Sequence, residues 1–187
     1  MGIGEVSKIA LLWMGTFFQL VLLIADEVIN GFGRTGEMFA VEHWDVVPDI
    51  MTIAKGIISS YLPLAATVVK DEVADAFAGK ENYFRHVLTF SGHPVSAAAA
   101  LKNIEIIQNE NMVENSRDVG AYFKEQLEGL AGDHPLIGDV RGRGLLMGVE
   151  LVSDRETRAP VAEDVHIADK LNERFKKYGL ILRMSGN

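Results

Sequence analysis

Val21-Leu22-Leu23-Ile24-Ala25-Asp26-Glu27 and Ile50-Met51-Thr52-Ile53-Ala54-Lys55-Gly56 decide how this chain is read. Each is a short apolar run, rich in aliphatic residues, that ends on a charged residue. Runs of this length and composition, bounded by turn signals, predict buried strands of a parallel sheet. In open α/β sheets the ligand crevice lies just outside the carboxyl ends of the strands. The two runs therefore deliver a carboxylate, Asp26, and an amine, Lys55, to that edge. Pyridoxal phosphate chemistry requires such a pair. The lysine forms a Schiff base with the cofactor aldehyde, and the carboxylate keeps the pyridine nitrogen protonated so that the ring accepts electrons.

Each residue also has an ordinary explanation. An Asp after a strand most often caps a helix or opens a turn, and a Lys before Gly is usually a solvated chain end. Four apolar residues followed by Asp-Glu also match the Walker B pattern of P-loop ATPases. That reading needs a G-x-x-x-x-G-K-[ST] phosphate loop. None occurs: Gly79-Lys80 is followed by Glu81 and lacks the upstream glycine.

Bulk properties narrow the class. A chain of 187 residues holds one ordinary domain or parts of two. Its 48% hydrophobic and 24% charged residues are those of a globular protein. The net charge of −8, with Lys and Arg scattered, speaks against a nucleic-acid partner. The absence of cysteine excludes disulfides and thiolate metal sites and fits a cytoplasmic protein. His43, His86, His93, His134 and His166 show no ligand spacing, so no metal is expected.

Residues 1–20 stand apart as an atypical apolar N-terminal segment. Residues 9–25 form an uncharged stretch of 17, at the short limit for a membrane span. Glu5 and Lys8 in the flank, and the lack of a small-x-small cleavage site, argue against a secretory leader. A buried segment is the preferred expectation over a membrane anchor.

Further along, residues 37–44 predict a short helix and 64–69 a strand. Asp71 is a plausible cap for a helix over 72–78, stopped by Gly79. Pro94 sits at a first helical position before an Ala-rich helix to Gln108. Val119, Tyr122, Phe123, Leu127 and Leu130 make the stripe of a second long helix ending near Gly132. The pattern then changes. Residues 139–152 read as strand around Gly142 and Gly144. Val165, Ala168, Leu171, Phe175 and Tyr178 make another helical stripe, and 180–183 reads as a strand. The sequence thus predicts an α/β unit followed by a smaller α+β unit.

Three more segments complete the pattern: Asn30-Gly31-Phe32-Gly33-Arg34-Thr35-Gly36, Thr89-Phe90-Ser91-Gly92-His93-Pro94 and Arg141-Gly142-Arg143-Gly144-Leu145. With Ala25-Asp26-Glu27-Val28 and Ala54-Lys55-Gly56, their order and spacing resemble the class III aminotransferases, the fold-type-I pyridoxal phosphate enzymes that include the ω-transaminases. The resemblance runs from about Leu22 to the last residue. It implies an α/β fold: part of a large cofactor-binding domain over 21–132, then an incomplete small α+β domain over 133–187. It also implies pyridoxal 5'-phosphate as cofactor and transfer of an amino group from an amine or amino acid to a 2-oxo acid. By position, Asp26 corresponds to the pyridinium partner, Val28 to the residue packed on the ring face, and Lys55 to the Schiff-base lysine. That lysine must be unprotonated to react, which desolvation and nearby positive charge favour. Thr89 corresponds to the threonine that binds the cofactor phosphate of the neighbouring subunit, which implies a homodimer. Arg183 corresponds to the mobile arginine that pairs with a substrate carboxylate, a task suited to a two-pronged donor.

The chain departs from the family pattern in four ways, the first being that Ser7 to Leu20 is largely apolar where the family has a charged amphipathic helix. The family's upstream phosphate-binding turn and ring-stacking aromatic are not found. Ser60 stands where the family usually has Gly, in a turn needing positive φ. The closing strand and helix beyond Arg183 are also not found. These departures predict a fragment, and with it a second reading: a catalytically dead piece that binds cofactor or a partner subunit weakly. A membrane-tethered non-enzyme is the third reading. The motifs do not separate a transaminase from a mutase or racemase of the family.

Overall fold

The computed structural model describes residues 21–184. The segment 1–20, with its buried or membrane-anchored reading, lies outside the described residues. Among the described residues no helix is long and apolar enough to cross a membrane. The chain divides into two units, one up to Ser116 and one from Arg117.

The first unit is built on a sheet of β1 (Ile24–Asp26), β2 (Ile50–Ile53) and β3 (Ala66–Val69), in that order. β1 and β2 are parallel, with Asp26 opposite Thr52, whereas β3 is antiparallel to β2. Both apolar runs are strands, as predicted, but burial follows position in the sheet. β1 and β3 are its edges: Ile24 is 61% exposed and every residue of β3 is exposed. The central strand carries the core. Ile53, Ile57, Ile58 and Ala100 form a buried cluster, with Phe32, Phe39, Met51 and Leu64 packed against it. Each buried isoleucine contributes about 2 kcal/mol of transfer free energy.

Local structure departs from the sequence expectation at two places here. The helix expected over 37–44 is a 3-10 helix limited to Ala40–Trp44. The helix expected over 72–78 is α1, Asp71–Asp75, with Lys70 at its cap and no side-chain cap bond, so Asp71 is its first residue. So short a helix with no buried residue has little to extend it. α2 (Pro94–Asn109) has Pro94 in its first turn, and the His93 side chain accepts the Ser96 N–H at 3.5 Å. Its buried residues Ser96, Ala100, Asn103 and Ile107 recur at helical spacing on one face. α3 (Met112–Asp133) starts in this unit and continues into the next.

In the second unit the alternating stretch resolves into a hairpin, β4 (Ile137–Arg143) and β5 (Leu146–Asp154), joined at Gly144-Leu145. A short β6 (Ala159–Pro160) adds to β5. Gly142 has φ of +139°, and a Cβ there would collide with the Leu146 carbonyl oxygen, so the ladder requires glycine. Arg155 ties the hairpin to the end of α3, donating from Nε to the Ile137 carbonyl at 3.0 Å. Its Nη2 donates to the carbonyls of Ala131 and His134. α4 (Ile167–Lys177) includes Ala168, Leu171 and Phe175 of the predicted stripe. Val165 precedes it in a 3-10 turn, and Tyr178 follows it with 77% of its surface exposed. The strand expected over 180–183 does not form among the described residues. These residues have no ladder partner, and strand periodicity alone does not supply one.

Candidate functional site

The parallel pairing of β1 and β2 puts their carboxyl ends at one edge of the sheet. Asp26 ends β1, and Lys55 follows β2 by two residues, opening a 3-10 turn over Lys55–Ile57. The structure thus puts the two residues that the sequence analysis paired at the carboxyl ends of adjacent strands.

Asp26 is exposed, and the two hydrogen bonds it accepts both reach Oδ1, from the Val28 N–H at 3.1 Å and the Thr52 hydroxyl at 3.4 Å. The first is a local turn bond of the kind aspartate commonly makes. The second comes from the strand that leads to Lys55. Oδ2 accepts no hydrogen bond from the described residues, so one oxygen remains available to a donor. Glu27 turns the other way. It is 2% exposed, and its carboxylate accepts the backbone N–H of Ala40 at 3.0 Å and of Val41 at 2.9 Å. This carboxylate caps the 3-10 helix at Ala40–Trp44, where free N–H groups favour negative charge. Two adjacent acids therefore have opposite surroundings, because successive strand residues face opposite sides.

Lys55 is exposed and has φ of +46°, in the left-handed region that residues with a Cβ seldom occupy. Ser59 and Ser60 are also left-handed, with φ of +48° and +65°, so the turn predicted to need positive φ at Ser60 has it. An open depression of about 360 Å³ lies beside this turn, lined by Lys55, Ile58, Ser60 and the run Tyr61 to Leu64. Asp26 does not line it.

The turn is braced from two directions. A Cβ on Gly56 would lie 2.9 Å from the Phe32 Cβ, so only glycine lets the glycine-rich loop after β1 approach this closely. From α2, Asn103 Nδ2 donates to the Gly56 carbonyl at 2.8 Å and to the Ile57 carbonyl at 3.1 Å. Sequence reasoning missed Thr52, Asn103 and the capping role of Glu27. A polar residue inside an apolar strand, and another on the apolar face of a helix, were the available signals.

Val28, Thr89 and Arg183 are the other candidates. Val28 is half-buried two residues beyond Asp26. Thr89 starts an exposed turn before α2, next to Phe90, which is 81% exposed. Arg183 is exposed in the segment after α4, in the second unit.

The profile of the family described as aminotransferase class-III matches residues 18–187. The chain belongs to the class-III aminotransferases. It is 49% identical over 166 residues to the taurine–pyruvate aminotransferase of Bilophila wadsworthia, covering 87% of this chain and 36% of that protein. It is 54% identical to a Bacillus anthracis aminotransferase of known structure, with a TM-score of 0.82 over 87% of this chain and 36% of the other. An amine transaminase from an uncultivated Pseudomonas species, solved in its PLP-bound form, superimposes with a TM-score of 0.85 at 40% identity. That match covers 89% of this chain and 38% of the other. The mixed α/β architecture of this class-III aminotransferase chain thus corresponds to part of a transaminase structure. The chain spans little more than a third of the length of the relatives it matches.

Proposed function

We propose that this class-III aminotransferase chain carries the lysine-bearing part of a pyridoxal-5'-phosphate-dependent transaminase, with Lys55 as the residue that holds the cofactor covalently. The observation that carries this reading is the placement of Asp26 and Lys55 at the carboxyl ends of two adjacent parallel strands. The residues fit the cofactor at two points: an exposed ε-amine beside an open depression, and a carboxylate with one oxygen free of the described donors. The bound cofactor supplies an electron sink that lets a bond at the carbon bearing the amine break.

The chain's own residues supply position and proton handling. Lys55 Nζ would move the proton between the substrate Cα and the cofactor C4′. Asp26 would keep the pyridine nitrogen protonated through its carboxylate, and Val28 would pack against the ring face. Thr89 serves the cofactor phosphate of a second copy of the chain, in keeping with its exposed turn and the apolar exposure of Val87 and Phe90. A homodimer follows from that role. Arg183 pairs with a substrate carboxylate, two N–H groups to two oxygens. The residues from 21 to 132 belong to the large domain and those from 133 to 187 to the small one. The substrates are an amine or amino acid and a 2-oxo acid, the classes to which the taurine and pyruvate of one relative belong. A cytoplasmic location is in keeping with a chain that has no cysteine.

Reconstitution with pyridoxal phosphate followed by borohydride reduction tests the assignment. The expected result is a yellow protein whose reduced adduct maps to Lys55 and is lost in Lys55→Ala. An adduct confined to Lys70 or Lys80 would overturn it.

A further inference from the structure

The brace on the Lys55 turn goes beyond the pairing of amine and carboxylate. Asn103 is buried on the inner face of α2, with Ala100 and Ile107 on the same face. An apolar residue would fill such a position at no polar cost, whereas a buried amide costs stability unless its groups are bonded. Asn103 directs its donors at one place, the successive carbonyls of Gly56 and Ile57. Those carbonyls belong to the turn that starts at Lys55. Lys55 holds a left-handed backbone conformation, of the kind that persists only where surrounding contacts over-determine it. Gly56 is pressed against Phe32 on one side, and Asn103 holds the same residue from α2.

We propose that Asn103 is a positioning residue for Lys55: its side-chain amide pins the Gly56 and Ile57 carbonyls and so keeps the lysine-bearing turn in the conformation that presents the ε-amine at the sheet edge. This rests on the assignment of Lys55 above. The consequence is that a substitution 48 positions away along the chain (103 − 55) lowers the reactivity of Lys55 without touching the lysine.

Amide hydrogen exchange and borohydride trapping on the full chain test the proposal, comparing Asn103→Leu with Ile107→Ala. Ile107 is buried on the same helix face and its side chain has no hydrogen-bonding group to offer the turn, so its truncation reports general destabilisation. The Ile58 and Ser59 N–H groups both bond to the Lys55 carbonyl, at 3.2 and 2.9 Å, and report the turn directly. In Asn103→Leu their exchange should accelerate about tenfold or more relative to Ile107→Ala. The share of reduced pyridoxal phosphate found on Lys55 should fall about fivefold relative to adducts on Lys70 and Lys80. Asn103→Ser, which keeps one donor, should lie between Asn103→Leu and the parent in both measurements, and it carries the test if Asn103→Leu does not fold. Equal exchange and equal trapping in the Asn103 and Ile107 variants would overturn the proposal. A parent chain with no adduct on Lys55 would overturn the cofactor assignment instead, and the exchange measurement would still decide whether Asn103 pins the turn.

Discussion

The sheet that carries Asp26 and Lys55 and the hairpin of the second unit are held together by different means. The strands of the first run to 3, 4 and 4 residues, and those of the hairpin to 7 and 9. The hairpin supports itself. Its ladder is continuous from Val140 to Arg143, and Arg141 pairs with Asp139 and Glu150 from the same two strands. The short sheet relies on distant groups. Asp49 accepts the Leu23 N–H, Glu27 holds the 3-10 helix 13 residues on, and Asn103 holds the lysine turn from 47 residues away. The candidate site residues here stand on short segments whose positions come from long-range bonds. Local substitutions should therefore break the hairpin, and remote ones the candidate site.

The largest effect is expected from Gly142→Ala. The new Cβ would meet the Leu146 carbonyl oxygen and lie 2.8 Å from the Met147 Cα, both backbone atoms of the facing strand. Strain at a left-handed position adds to the clash, for a cost of about 3 kcal/mol or more. Urea unfolding followed by hydrogen exchange should show protection lost from β4 and β5, with Ile53 and Ile57 still protected in the first unit. Undiminished protection in the hairpin would remove the contrast drawn here.

Next comes Glu27→Ala, compared with Asp26→Asn. Removing the Glu27 carboxylate leaves the N–H groups of Ala40 and Val41 without their acceptor inside the unit, a loss of about 2 kcal/mol. Asp26→Asn alters an exposed side chain and should stay within about 0.5 kcal/mol in stability. On the proposed assignment, and in a restored full-length context, the order reverses: Asp26→Asn should retain some cofactor yet lose most transamination, because the ring nitrogen would lose its charged partner. Equal stability losses from the two variants would show that the neighbouring acids do not divide structural and chemical roles.

How much of this could be read beforehand follows the same division. The two apolar runs, the helix opening at Pro94 and the long helix after it were legible because periodicity and punctuation are local. So was the left-handed turn at Ser60. Edge exposure of Ile24 was not legible, since a run of Val, Leu and Ile does not say whether it will have neighbours on both sides. A strand over 180–183 was expected for the same reason and did not form among the described residues. Thr52 and Asn103 were passed over because their partners, Asp26 and Gly56, lie 26 and 47 residues away. The carboxylate and the amine were picked out as candidates because chemistry marks them by residue type. The residues that position them are marked only by fold.

The smallest effects should come from the two half-buried acidic clamps, and they sharpen the comparison. At Asp49 the hydrogen bond from Lys70, and then that from the Leu23 N–H, holds the carboxyl below its ordinary value of 3.8. At Asp139 the hydrogen bond from Arg141 does the same. A carboxyl whose pKa is depressed by folding contributes stability above its unfolded pKa and loses it as pH falls through the folded value. Both contributions should therefore be complete at neutral pH and fade below about pH 4. They differ in redundancy. Arg141 keeps Glu150 at 2.8 Å when Asp139 is changed, so Asp139→Asn should leave the hairpin nearly as protected as before. Asp49 serves Lys70 through Oδ1 and Leu23 through Oδ2, and asparagine has only one acceptor oxygen for the two donors. Asp49→Asn should therefore open the Ile50 N–H, which bonds to the Leu23 carbonyl, to faster exchange at pH 7. The difference from the parent should shrink as pH drops below 4, where the parent's own carboxylate protonates. A larger effect from Asp139→Asn than from Asp49→Asn would mean that the hairpin, and not the short sheet, depends on its side-chain clamps.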